Sequence, residues 1–367
     1  MRVLHVNTHV NIGGIGQYIV SLTKALRQKG VECLVASSGG DLEDLLVRSD
    51  VRHIYIDINT KFEFGPKVFC AASSLARMIR EEKIDLLHAH TRVAQVVSSL
   101  ASQQAAIKYI TTCHGYFKPR LSRRLFDTWG EKVVAISDAV SEHLKSDFKV
   151  NAKRIEIIYN GVDVNRFSKV YSTDEIARAK RSLSIRSGAV VGTMGRLSPV
   201  KGQKFLIEAM REVISKNNDV QCLIIGSGPE EAALKSLVRA LGMEDHFVFT
   251  GAAYMDIPLY LSCMDVFVLP SIKEGLGLAL LEAMSSTRPC VASATGGICD
   301  IVKDGINGIL TPVGDSAAIA SAILKILSDS ALKNNMAERS RDFVKNKFSI
   351  DVMADKMIDL YERVASR

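Results

Sequence analysis

The residues best suited to handling a charged group lie in short runs that each follow an apolar stretch. One run reads Gly192-Thr-Met-Gly195-Arg196-Leu-Ser-Pro-Val-Lys201-Gly202. A guanidinium fork and an ammonium point charge in one loop suit a diphosphate, and could offset charge growing on a leaving group. On spacing alone, two solvated surface cations would look the same. A second run, Pro270-Ser-Ile-Lys-Glu274-Gly-Leu-Gly277-Leu278, continues to Glu282. Gly275 and Gly277 permit close backbone approach, and a helix beginning near Leu278 would offer unpaired N–H groups to a phosphate. Glu274 in the loop and Glu282 on the helix could hold hydroxyls of a sugar and of a ribose. Equally, they could be a charge facing the helix dipole and a solvated helix residue. A third run, Gly226-Ser-Gly228-Pro229-Glu230, is a weaker signal, because many strand-to-helix turns need glycine for geometry alone.

The first half holds other candidates. Gly13-Gly14-Ile15-Gly16 lacks the full dinucleotide spacing, and no ribose-binding acid follows in the expected place, which argues against an oxidoreductase. His88-Ala-His90 and Thr112-Cys-His114-Gly115 close two apolar runs. A metal site there is conceivable, but acidic ligands are lacking and no Asp-x-Asp occurs, so no metal is expected. The stretch 116–129 interleaves Lys118, Arg120, Arg123 and Arg124 with Tyr116, Phe117, Leu121, Leu125, Phe126 and Trp129. Leu121, Leu125 and Trp129 would form one helical stripe. Either that stripe meets an anionic membrane surface with the cations on headgroups, or it faces the core as in any amphipathic helix.

These runs need a scaffold that brings strand ends together. Strand-like runs recur at Arg2–Asn7, Val31–Ser38, Val51–Asp57, Ile84–His90, Ile107–Cys113, Lys132–Ser137 and Arg154–Tyr159. They return at Ala189–Met194, Val220–Gly226, Phe247–Thr250, Val266–Leu269, Cys290–Ala294 and Gly308–Leu310. Helical patterns separate most of them, at 66–83, 92–104, 138–148, 202–216, 230–241, 256–264 and 278–286. Apolar strands alternating with helices predict an α/β protein of two doubly wound, Rossmann-like domains with parallel sheets. They would meet near a polar, extended join at 168–174 and face a central cleft, with ligands beyond the carboxyl ends of the strands. The last pattern, 350–364, has no strand after it and could cap the structure or cross back to the first domain.

Composition agrees with that scale. The chain has 367 residues, 47% hydrophobic and 24% charged, with mean hydropathy +0.12; such a chain can bury two sizeable cores. No apolar stretch is long enough to span a bilayer and no basic leader precedes one, so a cytoplasmic location is expected. Seven scattered cysteines without a Cys-x-x-Cys pair predict buried reduced thiols. The net charge is +7. Residues 1–170 hold 24 Lys+Arg against 17 Asp+Glu, and the remainder 23 against 23. The excess predicts an acidic partner for the first domain: a phosphorylated acceptor or an anionic membrane surface. Nucleic acid is disfavoured, because the excess is modest and no binding motif accompanies it.

Taken together, the runs resemble the family 4 glycosyltransferases, retaining enzymes of the GT-B fold. The resemblance rests on Gly13-Gly14, Thr112-Cys-His114-Gly115, Ile136-Ser-Asp138, Tyr159-Asn160-Gly161-Val-Asp163, Gly195-Arg196 with Lys201-Gly202, Gly226-Ser-Gly-Pro229, and Glu274-x7-Glu282, in family order along nearly the whole chain. It implies an acceptor-binding domain over 1–168, joined by the C-terminal helix 350–367, and a nucleotide-sugar-binding domain over 169–349. It further implies that Arg196 and Lys201 contact the donor diphosphate, Glu274 the transferred sugar and Glu282 the ribose. His114 would lie near the sugar, and Gly13 and Gly14 near the phosphates. Gly226, Gly277 and Leu278 would line the nucleotide site. One departure from the family pattern is Ile15-Gly16 after the double glycine, where polar or charged residues are frequent. The implied substrates are a nucleotide sugar, with UDP as the default base, and a glycan or lipid-linked acceptor of lipopolysaccharide or capsule type; no cofactor is implied. The rival readings are a catalytically silent sugar-binding partner, or a nucleotide-sugar epimerase or phosphorylase on the same fold.

Overall fold

The structure is a computed structural model that describes residues 1–60, 62–119, 123, 126–186, 188–251 and 256–366. The chain divides into two compact units, Met1–Gly161 with Ile350–Arg367, and Val162–Ser349. The boundary falls before the polar join rather than after Ser168. Val162 already belongs to the second unit, because its N–H donates to the Phe348 carbonyl and it bridges Ser349. Residues 173–182, next to the expected join, form the helix Thr173–Ser182. Its start is fixed by a capping box in which Ser172 and Glu175 satisfy each other's backbone N–H.

Unit 1 holds seven strands: β1 Arg2–Val6, β2 Glu32–Ser37, β3 Arg52–Tyr55, β4 Leu86–Ala89, β5 Lys108–Cys113, β6 Lys132–Ala135 and β7 Ile155–Ile157. They pair in the order β3-β2-β1-β4-β5-β6-β7. Every pairing is parallel. Alternate residues feed opposite faces, as the two-residue strand period requires. Val3, Cys33, Val35, Leu86 and Ile110 pack under the helix Gly14–Gln28 and the C-terminal helix Ile350–Ala365. Leu4, Val6, Leu34, Ala36, Leu87 and Ala89 pack on the other side, with the helices Pro66–Glu81 and Arg92–Ala105. The C-terminal helix is therefore part of unit 1's own core, through Met353, Met357, Leu360, Tyr361 and Val364.

Unit 2 repeats the plan with β8 Ala189–Met194, β9 Val220–Ile225, β10 Phe247–Phe249, β11 Val266–Leu269, β12 Cys290–Ser293 and β13 Ile309–Thr311. Their order is β10-β9-β8-β11-β12-β13, again parallel throughout. In each sheet the order reverses beside the first strand, between β1 and β4 and between β8 and β11. Loops leaving the carboxyl ends of those strands diverge to either side and leave room for a ligand.

Three sequence expectations need revision. The excess charge is less one-sided over the observed units: unit 1 has 25 Lys+Arg against 20 Asp+Glu (+5) and unit 2 has 22 against 20 (+2). Cys70 and Cys299 are exposed, whereas the other five cysteines are buried, and all seven are free. Cys70 sits on the outer face of the helix Pro66–Glu81, whose inner face is formed by Val68, Ala71, Ala72, Leu75, Ala76 and Ile79. The stripe Leu121/Leu125/Trp129 is also affected. Leu121 and Leu125 lie outside the described residues, but Trp129 is only 3% exposed and its ring meets Phe148 edge-on, so that residue belongs to the core. Among the described residues, no helix is long and apolar enough to cross a membrane.

Candidate active site

In unit 2 the loops after β8 and β11 are joined by backbone before any side chain is considered. Ile272 N–H donates to the Val200 carbonyl at 2.9 Å. Gly202 lies so close to the Pro270 carbonyl that a Cβ would stand 2.1 Å from its oxygen. Glycine at 202 is thus what allows the two loops to touch. Lys201 and Glu274 sit on either side of this junction, and Lys201 Nζ donates to Glu274 Oε2 at 2.5 Å. Ser271 Oγ donates to the same oxygen at 3.3 Å, and the Glu274 carbonyl accepts from Gly297 N–H at 3.3 Å. The Glu274 side chain is 13% exposed and that of Lys201 26%. This is a pre-oriented, mostly buried pair.

Arg196 contrasts with it. Its side chain is exposed and makes no ion pair among the described residues, while its carbonyl accepts from Gln203 Nε2. The helix Leu278–Ser285 starts at Gly277, which has φ +106° and no capping side chain. A left-handed start of that kind favours glycine. The first intrahelical bonds run from Leu280 and Leu281 to the Gly277 carbonyl, so the N–H groups of Leu278 and Ala279 precede the helical ladder. Glu282 lies one turn further on, mostly buried, and burial pushes its carboxyl up to about 7 against the opposing pull of Arg166. The structure thus brings Lys201 and Glu274 into contact and leaves the Arg196 side chain and the Leu278 amide without competing partners among the described residues, while Glu282 feels the charge of Arg166.

Gly226 is held by backbone packing. Its N–H is spent on the Gly251 carbonyl at 2.8 Å, and a Cβ there would stand 2.0 Å from the Gly195 oxygen. The glycine is required because the ends of β8 and β9 pack backbone to backbone.

In unit 1, Gly13 caps the helix Gly14–Gln28 and Gly14 begins it; both are exposed, with open space where a Cβ would be. Gly16, by contrast, packs against the Asn11 carbonyl. His114 follows β5 on the face covered by the first and last helices. Its Nε2 lies 3.2 Å from His90 Nδ1, and His90 Nε2 lies 3.0 Å from His5 Nδ1. His88 engages Tyr361 Oη through Nδ1 and Thr112 Oγ1 through Nε2, both at 2.7 Å. Sequence reasoning singled out His88, His90 and His114 but missed His5, Tyr18 and Tyr361. The available signal was the two-residue alternation, which puts Val3 and His5 on one face with Leu86 and His88. His5, His88 and His90 offer ring nitrogens within 4.8 Å of one another. A cation there would have to break bonds that His88 and His90 already make through both of their ring nitrogens.

The basic stretch is partly held by protein. Arg123 Nε lies 3.3 Å from Glu63, which also pairs with Arg92 at 3.2 Å, and the Arg123 guanidinium stands over the Phe117 ring. Arg123 is therefore held against unit 1 by Glu63, which it shares with Arg92, so that the three groups together keep one positive charge. Arg120 and Arg124 lie outside the described residues. Lys118 is exposed, and Phe126 is 53% exposed with its ring against Phe64.

Comparison with known proteins agrees with these elements. Residues 12–166 match the family described as Glycosyltransferase Family 4, and residues 176–343 match Glycosyl transferases group 1. The chain is 30% identical to the phosphatidyl-myo-inositol mannosyltransferase of Mycobacterium leprae, over 96% of this chain and 94% of that protein. It is 27% identical to the N-acetyl-alpha-D-glucosaminyl L-malate synthase of Bacillus anthracis, over 98% and 95%. Its fold is similar to that of Anabaena Alr3699/HepE in complex with UDP-glucose, with TM-score 0.87 and 24% identity over 99% of this chain and 100% of that one. Two parallel, doubly wound units and both halves of the family pattern in a single chain lead to one conclusion: the chain belongs to family 4 of the glycosyltransferases and is a glycosyltransferase of the GT-B fold.

Proposed function

We propose that the protein transfers a sugar from a UDP-sugar to a hydroxyl of a glycan or lipid-linked acceptor in cell-surface polysaccharide synthesis, with retention of anomeric configuration and without a metal. The observation that carries this reading is the Lys201–Glu274 pair, which links the loop that holds Arg196, without an ion pair among the described residues, to the loop that leads into the uncapped start of the helix Leu278–Ser285. Arg196, Lys201 and the Leu278 amide are assigned to the diphosphate, with Gly277 and Gly226 shaping the backbone around it. Glu274 is assigned to hydroxyls of the sugar and Glu282 to the ribose. In unit 1, the open Gly13-Gly14 turn is assigned to phosphate oxygens and His114 to the sugar.

The reaction breaks the bond from the anomeric carbon to the β-phosphate oxygen and forms one to the acceptor oxygen on the same face. The acceptor proton passes to the departing phosphate. Cations fixed at that phosphate stabilise the charge that grows in the transition state, and losing one such contact typically costs about 100- to 1,000-fold in rate. UDP as the base is supported by the UDP-glucose complex of Alr3699/HepE. A lipid-linked acceptor is supported by the M. leprae relative, named for phosphatidyl-myo-inositol.

The domain roles follow the same assignment, with unit 2 for the donor and unit 1 for the acceptor. Unit 1 exposes Phe62, Phe64, Phe69 and Phe126 together with Lys118, which supports contact with an anionic membrane surface on the cytoplasmic side. Turnover of UDP-, GDP-, ADP- and CMP-sugars on lipid-linked acceptors, with and without chelator, tests the proposal. Turnover with UDP-sugars that survives chelation is expected. Selective turnover of GDP-sugars, or loss of activity on chelation, would overturn the donor or the metal-free part respectively.

A further inference from the structure

The central strands of unit 1 end in a row of imidazoles whose hydrogen bonds form one chain, from His5 through His90 to His114. His5 and His90 are fully buried, and their rings are nearly parallel, with an interplanar angle of 3°, and meet edge to edge through the hydrogen bond. Burial keeps all three neutral: His5 and His114 are pushed down to about 3, and His90 is lowered well below its ordinary value. A neutral imidazole has one donor nitrogen and one acceptor nitrogen. Because both nitrogens of His90 are engaged, the two bonds must run in the same sense.

Two arrangements are therefore open. In the first, His5 Nδ1–H donates to His90 Nε2 and His90 Nδ1–H donates to His114 Nε2, which leaves the His114 proton on Nδ1. In the second, every proton moves to the other nitrogen, His5 carries N–H at Nε2 and His114 Nδ1 is bare. His5 Nε2 is buried with no hydrogen-bond partner among the described residues. His88 cannot supply one, since Tyr361 and Thr112 occupy both of its nitrogens. A buried N–H without an acceptor is the costlier defect and the rarer one, so the first arrangement prevails. Tyr18 closes the surroundings, its ring meeting His114 edge-on at 4.6 Å.

We propose that His90, backed by His5, is a positioning residue that fixes the tautomer of His114, so that His114 presents its Nδ1–H as a donor to a substrate oxygen. The substrate half of this statement rests on the reading of His114 given under Proposed function. The tautomer half stands apart from it and is measured without substrate.

Two-bond proton–nitrogen correlation on the full chain labelled with 15N-histidine at neutral pH reads which nitrogen of His114 is bare. A bare Nε2 and a protonated Nδ1 are expected in the wild type. His90→Leu, which removes the donor to Nε2, should leave a mixture of tautomers and lower kcat about tenfold, with a smaller change in donor KM. His90→Gln keeps one donor and one acceptor and should restore both the tautomer and most of kcat. A purely structural role for His90 would lower stability but leave the tautomer ratio unchanged. A wild-type His114 protonated on Nε2, or the same ratio in His90→Leu as in the wild type, overturns the proposal. Wild-type turnover in His114→Ala would instead overturn the substrate contact, whatever the tautomer result.

Discussion

Lys201 Nζ and Glu274 Oε2 are hydrogen-bonded at 2.5 Å across the ends of the neighbouring strands β8 and β11. The family resemblance assigned these residues separately, one to the diphosphate and one to the sugar. In the structure each holds the other, and Ser271 adds a second donor to the same carboxylate oxygen. The pair keeps a cation and a carboxylate poised at the switch point of the sheet without leaving either charge buried alone, which would cost several kcal/mol.

That relationship separates structure from chemistry in one experiment. Lys201→Ala should lower stability by about 1–3 kcal/mol, because Glu274 keeps its burial and loses its main partner. The same variant should lower kcat about 100- to 1,000-fold. The charge swap Lys201→Glu with Glu274→Lys restores a pair of opposite charges and should recover much of the melting temperature, but it reverses the sign presented to a phosphate, so turnover should stay at background. Recovery of turnover in the swap would show that only the ion pair matters and that neither residue meets the donor.

Arg196 should behave in the opposite way. It is exposed and makes no ion pair among the described residues, so Arg196→Ala should change stability by no more than about 0.5 kcal/mol. Loss of a charge-assisted contact to the diphosphate should still reduce kcat/KM for the donor at least about tenfold. Arg196→Lys should recover part of it, since a point charge keeps the attraction but not the bidentate fork. Calorimetry beside donor-saturation kinetics checks both halves, and an unchanged kcat/KM in Arg196→Ala removes Arg196 from the site.

Much of the scaffold was legible because β-branched runs and helical periods alternate along the chain. All thirteen strand-like runs correspond to strands, with ends that agree to within a few residues. The longer helices that escaped notice include Thr173–Ser182, Glu43–Arg48, Ser316–Ser328 and Ser330–Lys347, and the last three have no strand-to-loop motif to draw attention to them. Asp315 and Asp329, whose side chains accept from Ala318 and Leu332 N–H, were the available start signals for the last two. The site residues were visible as types and spacings, but their pairing was not. That Lys201 meets Glu274, or that Arg92 and Arg123 share Glu63, depends on which strand ends and loops lie side by side, and residue order does not state it. The same limit hid the tie between His88 and Tyr361, which are joined only because the last helix lies in unit 1's core.

The glycines divide into two classes with opposite expectations. A Cβ on Gly226 would stand 2.0 Å from the Gly195 oxygen, and Gly226 has φ +137°. Gly226→Ala should therefore lower stability by more than about 1 kcal/mol and disturb the loops of the donor site. At Gly13 and Gly14 nothing lies within 4 Å of the added carbon. Gly14→Ala should be neutral, or stabilising by up to about 1 kcal/mol, at the start of a helix. If the turn approaches phosphate oxygens, both Gly13→Ala and Gly14→Ala should nevertheless raise donor KM. Melting temperatures measured beside KM test this division, and an unchanged KM in both would detach the turn from the donor.

Glu282 ties the donor site to pH. Burial pushes its carboxyl up to about 7, with Arg166 pulling the other way. The folded protein therefore holds a proton on Glu282 at pH values where the unfolded chain, with an ordinary glutamate near 4.5, has already lost it. Stability should fall as pH rises from about 4.5 to about 7 and level off above that. Glu282→Gln should remove this slope and gain about 1–3 kcal/mol at pH 8, with little change near pH 4. Binding should show the reverse trend. An ionised carboxylate can accept from two ribose hydroxyls, whereas its protonated form gives up part of that capacity, so donor KM should fall as pH rises through about 7. In Glu282→Gln the KM should be higher and flat over the same range. A pH-dependent donor KM that persists unchanged in Glu282→Gln would place the titrating group elsewhere and leave Glu282 a buried residue of the helix Leu278–Ser285.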